Sequence, residues 1–223
     1  EGRTVLYDEN NNEIPVEKLN NDTENINKKL PQKYDLRDYG RVSKVKNQGS
    51  EGYCWAFASV ASMESSILSQ NDLKSKLGEN PQDTIDLSEA GQTWYIHSGI
   101  VDKSSPFYGD YINDSSKGSN GGTSDTLAIS LNSGFGTYPQ SLCPYNEVKK
   151  GFSETLRYYS DYRLKDYSEI SNNKDTLKSK IVSNGAVTVH YPSITDCYSS
   201  DYANYYSDNT CIGIGDSHLI VVV

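Results

Sequence analysis

The stretch Gln48-Gly-Ser-Glu-Gly-Tyr-Cys54-Trp-Ala-Phe57 places two side chains suited to acyl chemistry close together. Cys54 supplies a thiol, nucleophilic as its thiolate. Gln48, six residues earlier, supplies an amide that can donate to an oxygen gaining negative charge. The residues after Cys54 predict a helix, because Phe57, Val60/Ala61, Glu64 and Ile67/Leu68 recur at three-to-four-residue spacing as far as Asn71-Asp72. Cys54 then lies at or near the helix N-terminus, where unpaired backbone N–H groups and the helix dipole favour the thiolate. Taken alone, a cysteine in such a place is more often a small buried core residue.

A thiol nucleophile needs a base to hold its proton and return it to the leaving amine. The chain offers three histidines. His97 follows Trp94 and Tyr95 and reads as a surface or core residue. His190 alternates with Val189 and Tyr191 in the strand pattern Ala186–Tyr191, facing either the core or a groove. His218 opens the apolar run His218–Val223, which reads as a buried strand.

Other elements must position these groups. Asp86 or Ser88 caps a helix beginning in Asp86-Leu-Ser-Glu89, and the Asp72–Asp83 stretch before it reads as an exposed loop. Residues 99–118 read as a loop, and the glycine-rich Gly118-Ser-Asn-Gly-Gly122 leads into a predicted helix over Thr123–Ser133. Asp175–Asn184 predicts a further helix stopped by Gly185. Helices first and strands later indicate an α+β protein. With 223 residues the chain is long enough for one large domain or two lobes. A formal charge of −9 without a basic cluster makes nucleic acid and anionic membranes poor partners. No apolar run is long enough for a membrane span, and no phosphate loop or metal-ligand spacing indicates a cofactor or metal.

The sequence from Leu30-Pro-Gln-Lys-Tyr-Asp-Leu-Arg37 through Gly40-Arg-Val-Ser-Lys-Val-Lys-Asn-Gln48 to Phe57 resembles the mature N-terminus of the papain-like cysteine proteases. The resemblance implies a two-lobe fold with the active site in the cleft. A helical lobe would span about 45–140; an antiparallel, β-barrel-like lobe would span about 141–223 plus a strand in 30–44. It implies a Cys54 thiolate paired with His218, with Gln48 and the Cys54 N–H holding the oxyanion. Gly121, Gly122, Thr123, Ser217 and His190 would contact protein or peptide substrates. Glu64 matches a buried structural glutamate of the family.

The chain also departs from that family. Glu51 and Ser119 stand where the family usually joins two cysteines, and a Glu51–Ser119 hydrogen bond is one replacement. Cys197 and Cys211 flank a loop and could bridge, leaving Cys143 as a free, semi-buried thiol. Ser217 replaces a common aspartate or asparagine, and Thr123 and Ser124 replace apolar residues. The family's histidine-orienting asparagine is expected beyond Val223. The resemblance further implies a secreted or cell-surface zymogen. The competing readings are a catalytically deficient binding or adhesion module and another Cys–His enzyme, such as a cell-wall amidase.

Residues 1–29 read either as a flexible leader or as a propeptide remnant lying along the cleft. In the second case, removing them is expected to raise the rate of peptide cleavage; equal rates with and without them would eliminate it.

Overall fold

The computed structural model describes residues 30–100, 102–105, 108, 116–132, 135–193, 198–199, 204–205 and 216–223. The possible leader and the possible Cys197–Cys211 bridge lie outside the described residues. The helices are α1 (Cys54–Ser69), α2 (Asn71–Lys74), α3 (Pro81–Thr84), α4 (Glu89–Ile96), α5 (Ser124–Asn132) and α6 (Lys174–Asn184). The strands are β1 (Val187–Ser193), β2 (Tyr198–Ser199), β3 (Asn204–Tyr205) and β4 (Asp216–Val222). Helices α1–α6 thus precede every named strand among the described residues, the order read from the sequence.

Capping accounts for several boundaries. The Ser88 hydroxyl accepts from Gly91 N and starts α4, and Asn173 accepts from the N–H groups of Asp175 and Thr176 and starts α6. Gly185, at φ 116°, follows the last residue of α6. Two expectations need correction. The stretch Asp72–Asp83 is not a plain loop but is broken into short helical turns, the last beginning at Pro81. No strand forms in 30–44: Asp35 caps a 3-10 turn over Leu36–Tyr39, which Gly40 ends in the left-handed region at φ 60°.

The long helix α1 is central. Trp55, Val60, Ile67 and Leu68 join Ile85, Leu87, Ile96, Leu127 and Leu131 in the larger core. Burial therefore extends beyond the single face that the spacing indicated, to Ala56, Ala58 and Ser59 as well. A smaller core gathers Leu36, Ile181 and Ala186 with Val187, Val221 and Val222. β1 and β4 pair antiparallel, with His190 opposite Leu219 and Tyr191 opposite His218. β2 and β3 pair antiparallel across Tyr198–Tyr205 and Ser199–Asn204. Among the described residues the β-rich part consists of these two-stranded ladders, and the run from His218 is half-buried, with Ile220 exposed.

A buried ionic cluster joins the chain before α1 to two helices. Lys46 Nζ lies 2.9 Å from Glu64 Oε1, 3.0 Å from Glu89 Oε1 and 3.0 Å from Asp86 Oδ1, and donates to Leu87 O at 2.6 Å. Glu64 is 1% exposed and also accepts from Ser43 Oγ and Leu87 N. This confirms that Glu64 is structural. Burial opposes the Lys46 charge, but Glu89 and Glu64 outweigh it and the net shift is upward. Burial raises Glu89 to about 7 despite the nearby ammonium.

Lys46→Met is expected to cost about 3–5 kcal/mol in urea unfolding, because two buried carboxylates lose their shared ammonium. Glu89 prefers its proton in the fold, so its contribution is complete below the ordinary carboxylate range and lost as pH rises through about 7. Glu89→Gln is therefore expected to flatten the fall in stability over that window in unfolding curves taken at successive pH values.

Candidate active site

Cys54 is the first residue of α1 and is half-buried with a free thiol. Tyr53 precedes it as the N-cap and makes no side-chain capping bond. The Gln48 loop is held by its own backbone. Asn47 Oδ1 accepts from Gly49 N at 2.8 Å, with Gly49 at φ 67°. Gln48 Nε2 donates to Glu51 O at 2.9 Å, which fixes the amide's direction and leaves its second N–H for another acceptor. The Gln48 carbonyl accepts from Tyr145 OH at 2.7 Å, while the Tyr145 ring packs edge-on against Phe57 and Tyr53.

The glycine loop lies against the start of α1. Trp55 Nε1 donates to Gly118 O at 3.1 Å, and a Cβ on Gly122 would lie 2.6 Å from the Trp55 ring. Gly52 N donates to Ser119 O at 2.7 Å. The expected Glu51–Ser119 side-chain bond is replaced by this backbone bond. Glu51 instead pairs with Lys149 at 2.5 Å, because its side chain turns towards the 3-10 segment beside Tyr145. Gly121 and Gly122 are exposed, and a Cβ on Gly121 would meet nothing within 4 Å. Thr123 is also exposed, but its hydroxyl accepts from Thr126 N at the start of α5.

β1 runs beside α1 in a definite stagger. Ser62 Oγ donates to Ala186 O at 2.7 Å, and Thr188 Oγ1 donates to Ala58 O at 3.3 Å. Four residues towards the N-terminus of α1 thus correspond to two residues along β1. Helical and strand rises agree with that ratio, at about 6 Å and 6.6 Å. On the paired strand, the His218 ring packs at 5.8 Å against Tyr191. A cavity of about 300 Å³ has Gln48 and His218 in its lining, together with Phe57, Glu64 and Lys46. Cys54 lies outside that lining, three residues before Phe57 in α1.

His190 is exposed, so it does not face the core, and its Nε2 lies 2.6 Å from Ser217 Oγ. His97 is buried, with Nδ1 2.9 Å from Thr93 O and its ring edge-on to Trp55. It is a core histidine. Cys143 is free but fully buried rather than semi-buried, and burial pushes its thiol up to about 11. No group of three or more His, Cys, Asp or Glu among the described residues could hold a metal ion. No helix among them is long and apolar enough to cross a membrane. Sequence reading missed Lys46, Tyr145 and Arg157. Arg157 is buried, pairing with Glu154 and donating to the carbonyls of Tyr95 and Gly99. Nothing in the local pattern marks these three residues, since each acts on chain distant in sequence.

The model of the papain family cysteine proteases matches residues 30–223. The chain belongs to the papain family. It is 58% identical over 36 residues to stem bromelain of Ananas comosus, a span of 16% of this chain and 17% of that protein. It is 26% identical over 175 residues to the probable cysteine protease RD19B of Arabidopsis thaliana, covering 78% of this chain and 42% of that one. The matches therefore span less than half of these relatives. Among solved structures, the clostridial cysteine protease Cwp84 after propeptide cleavage superposes with a TM-score of 0.62 at 23% identity, covering 85% of this chain and 42% of that chain. A structure of Cwp84 with its lectin-like domain describes it as a surface layer associated protein of Clostridium difficile. Bromelain from Ananas comosus in complex with the E64 inhibitor gives 0.55 at 23% identity, covering 86% and 82%. The fold is the papain-like α+β fold, as the resemblance implied.

A Cβ on Gly52 would stand 2.4 Å from Ser119 O and 3.0 Å from Gly121 N, both backbone atoms. Gly52→Ala is expected to separate the two loops, lowering the unfolding midpoint and slowing alkylation of Cys54. Parallel thermal melts and iodoacetamide rates would check both effects.

Proposed function

We propose that this chain carries the catalytic centre of a cysteine endopeptidase. The stagger between α1 and β1 is the observation that carries the reading. Ala186 lies by Ser62 and Thr188 by Ala58; one further step of the same length brings residue 190 level with residue 54. Across the ladder from residue 190 is Leu219, next to His218. The extrapolation brings the stretch of β4 around His218 to the level of Cys54, and the cavity that His218 lines together with Gln48 and Phe57 of α1 supports both its pairing with Cys54 and the place of the oxyanion donor.

In this reading the Cys54 thiolate attacks the peptide carbonyl carbon, and the carbonyl oxygen takes the negative charge. The Cys54 N–H and the second N–H of Gln48 stabilise that oxygen. His218 gives its proton to the leaving amine, and the C–N bond breaks to leave a thioester on Cys54. Water, deprotonated by His218, then hydrolyses the thioester and restores the thiol. Exposed Gly121 and Gly122 allow the substrate backbone to approach closely. Protein or peptide substrates, a secreted or cell-surface setting and an inhibitory role for residues 1–29 complete the proposal. They are supported by likeness to proteases that include a surface layer protein and a propeptide-cleaved form.

An epoxide thiol-protease probe applied to the whole chain is expected to modify Cys54, identified by peptide mass spectrometry, and His218→Ala is expected to abolish that labelling. Gln48→Ala is expected to keep the label but lower peptide turnover by about 10²–10³. A Cys54 that stays inert to the probe at every pH tested would favour a binding module over a peptidase.

A further inference from the structure

The ionic cluster at Lys46 is short of positive charge. Glu64 and Glu89 are each 1% exposed and share the Lys46 ammonium. Asp86, the third carboxylate on Lys46, has a half-exposed side chain that water reaches. Two buried carboxylates therefore face one cation, and burial balances the charge by keeping a proton on Glu89 up to about pH 7. That balance leaves a defect. Glu89 Oε1 meets Lys46 Nζ at 3.0 Å, but Glu89 Oε2 is buried with no hydrogen-bond partner among the described residues. A buried polar atom left unpaired is costly to the fold.

Glu89, Glu64 and Lys46 all line the cavity of about 300 Å³ that also holds Gln48 and His218 in its wall. The proposed catalytic steps use none of these three ionic residues. Much of the remaining wall is apolar, with Ala61 on α1, Ala186 before β1, and Leu219 and Val221 on β4. Val45 lines the cavity too and is 98% exposed, so the space reaches solvent beside it. A matching ligand carries an apolar stem and a terminal cation. A metal ion fits poorly, because no group of three or more His, Cys, Asp or Glu among the described residues could hold one. An ammonium fits well: it supplies the N–H that Glu89 Oε2 lacks, and its charge replaces the proton.

We infer that this cavity is a binding site for a primary ammonium group on a short aliphatic stem, with Glu89 and Glu64 as its counter-charge. Two sources share this chemistry, a free alkylamine and a lysine side chain entering from an extended peptide. In either case the ammonium donates to Glu89 Oε2, Glu89 gives up its proton to solvent, and the stem covers Leu219 and Val221. Binding is thus linked to proton release. The site stands whether or not the chain is a peptidase.

Thermal melts and titration calorimetry of the whole chain with n-butylammonium chloride test this. The amine is expected to raise the unfolding midpoint, whereas n-butanol and tetramethylammonium chloride at equal concentration do not. Its affinity is expected to rise about tenfold per pH unit below about pH 7 and then level off, with about one proton released per cation in the acidic range. Glu89→Gln is expected to abolish both the pH dependence and the proton release. That variant leaves the other charged or titratable groups around the site unchanged: Lys44 and Lys46 before α1, Glu64 on α1, Asp86 before α4 and His218 on β4. The peptide acetyl-Val-Lys-Val-amide separates the sources. Tighter binding than the bare amine, lost when norleucine replaces lysine, assigns the site to a lysine side chain; equal or weaker binding assigns it to a free amine. Equal midpoint shifts from butylammonium and butanol overturn the inference, as does proton release that persists in Glu89→Gln. No effect of either amine probe at pH 8 also overturns it and leaves Glu89 Oε2 to water. If Glu89→Gln does not fold, the butanol comparison and the pH profile of the unmodified chain decide alone.

Discussion

Four oxygens from two separate parts of the chain converge on the ammonium of Lys46 inside the protein. A buried carboxylate or ammonium is costly unless it is paired and hydrogen-bonded. Glu64 therefore cannot take its place on α1 unless Lys46 arrives from the segment before it, and Glu89 cannot start α4 there without the same partner. Lys46 is two residues from Gln48, and Glu64 lies on the helix that Cys54 opens. The cluster thus holds the Gln48 segment and the helix that Cys54 opens to a common interior support. Burial, with a smaller contribution from nearby Glu64, makes Glu89 retain its proton well above the ordinary range despite the ammonium.

Around this support, close contacts of small residues govern how the parts meet. Gly52 lets its N–H reach Ser119 O, and Gly122 lies on the face of Trp55. A side chain at either position would push the glycine loop away from α1. Ser62, Ser65 and Ala58 play a similar part lower on α1. Their hydroxyls and carbonyl bond to the Ala186–Thr188 stretch and set the height of β1 on the helix. Small polar side chains suit this contact because they satisfy strand backbone groups without holding the strand off.

Much of the fold is legible from local pattern. The helices starting at Cys54, Glu89 and Lys174 follow from apolar spacing and from capping by Ser88 and Asn173. The strand at 187 follows from its alternation, and the strand at 216 from the apolar, β-branched run that begins at His218. Local pattern fails where contacts across the chain decide. The resemblance implies a strand in 30–44, but Asp35 and Gly40 bracket a 3-10 turn, and Leu36 is buried in the smaller core. Resemblance pairs Glu51 with Ser119, but Lys149 is the partner its side chain reaches.

The sequence by itself determined that a thiol opens a helix with an amide six residues before it, because both are properties of one short continuous stretch. It also determined the family, through the long ungapped resemblance from Leu30 to Phe57. Only the tertiary structure decided that His97 belongs to the core, that His190 is exposed and bonded to Ser217, and that Gln48 and His218 line one cavity. The physical reason is that a histidine's role depends on its neighbours. Those neighbours are fixed by ladder register and by the height of β1 on α1, the second of which couples residues more than 100 positions apart in the chain.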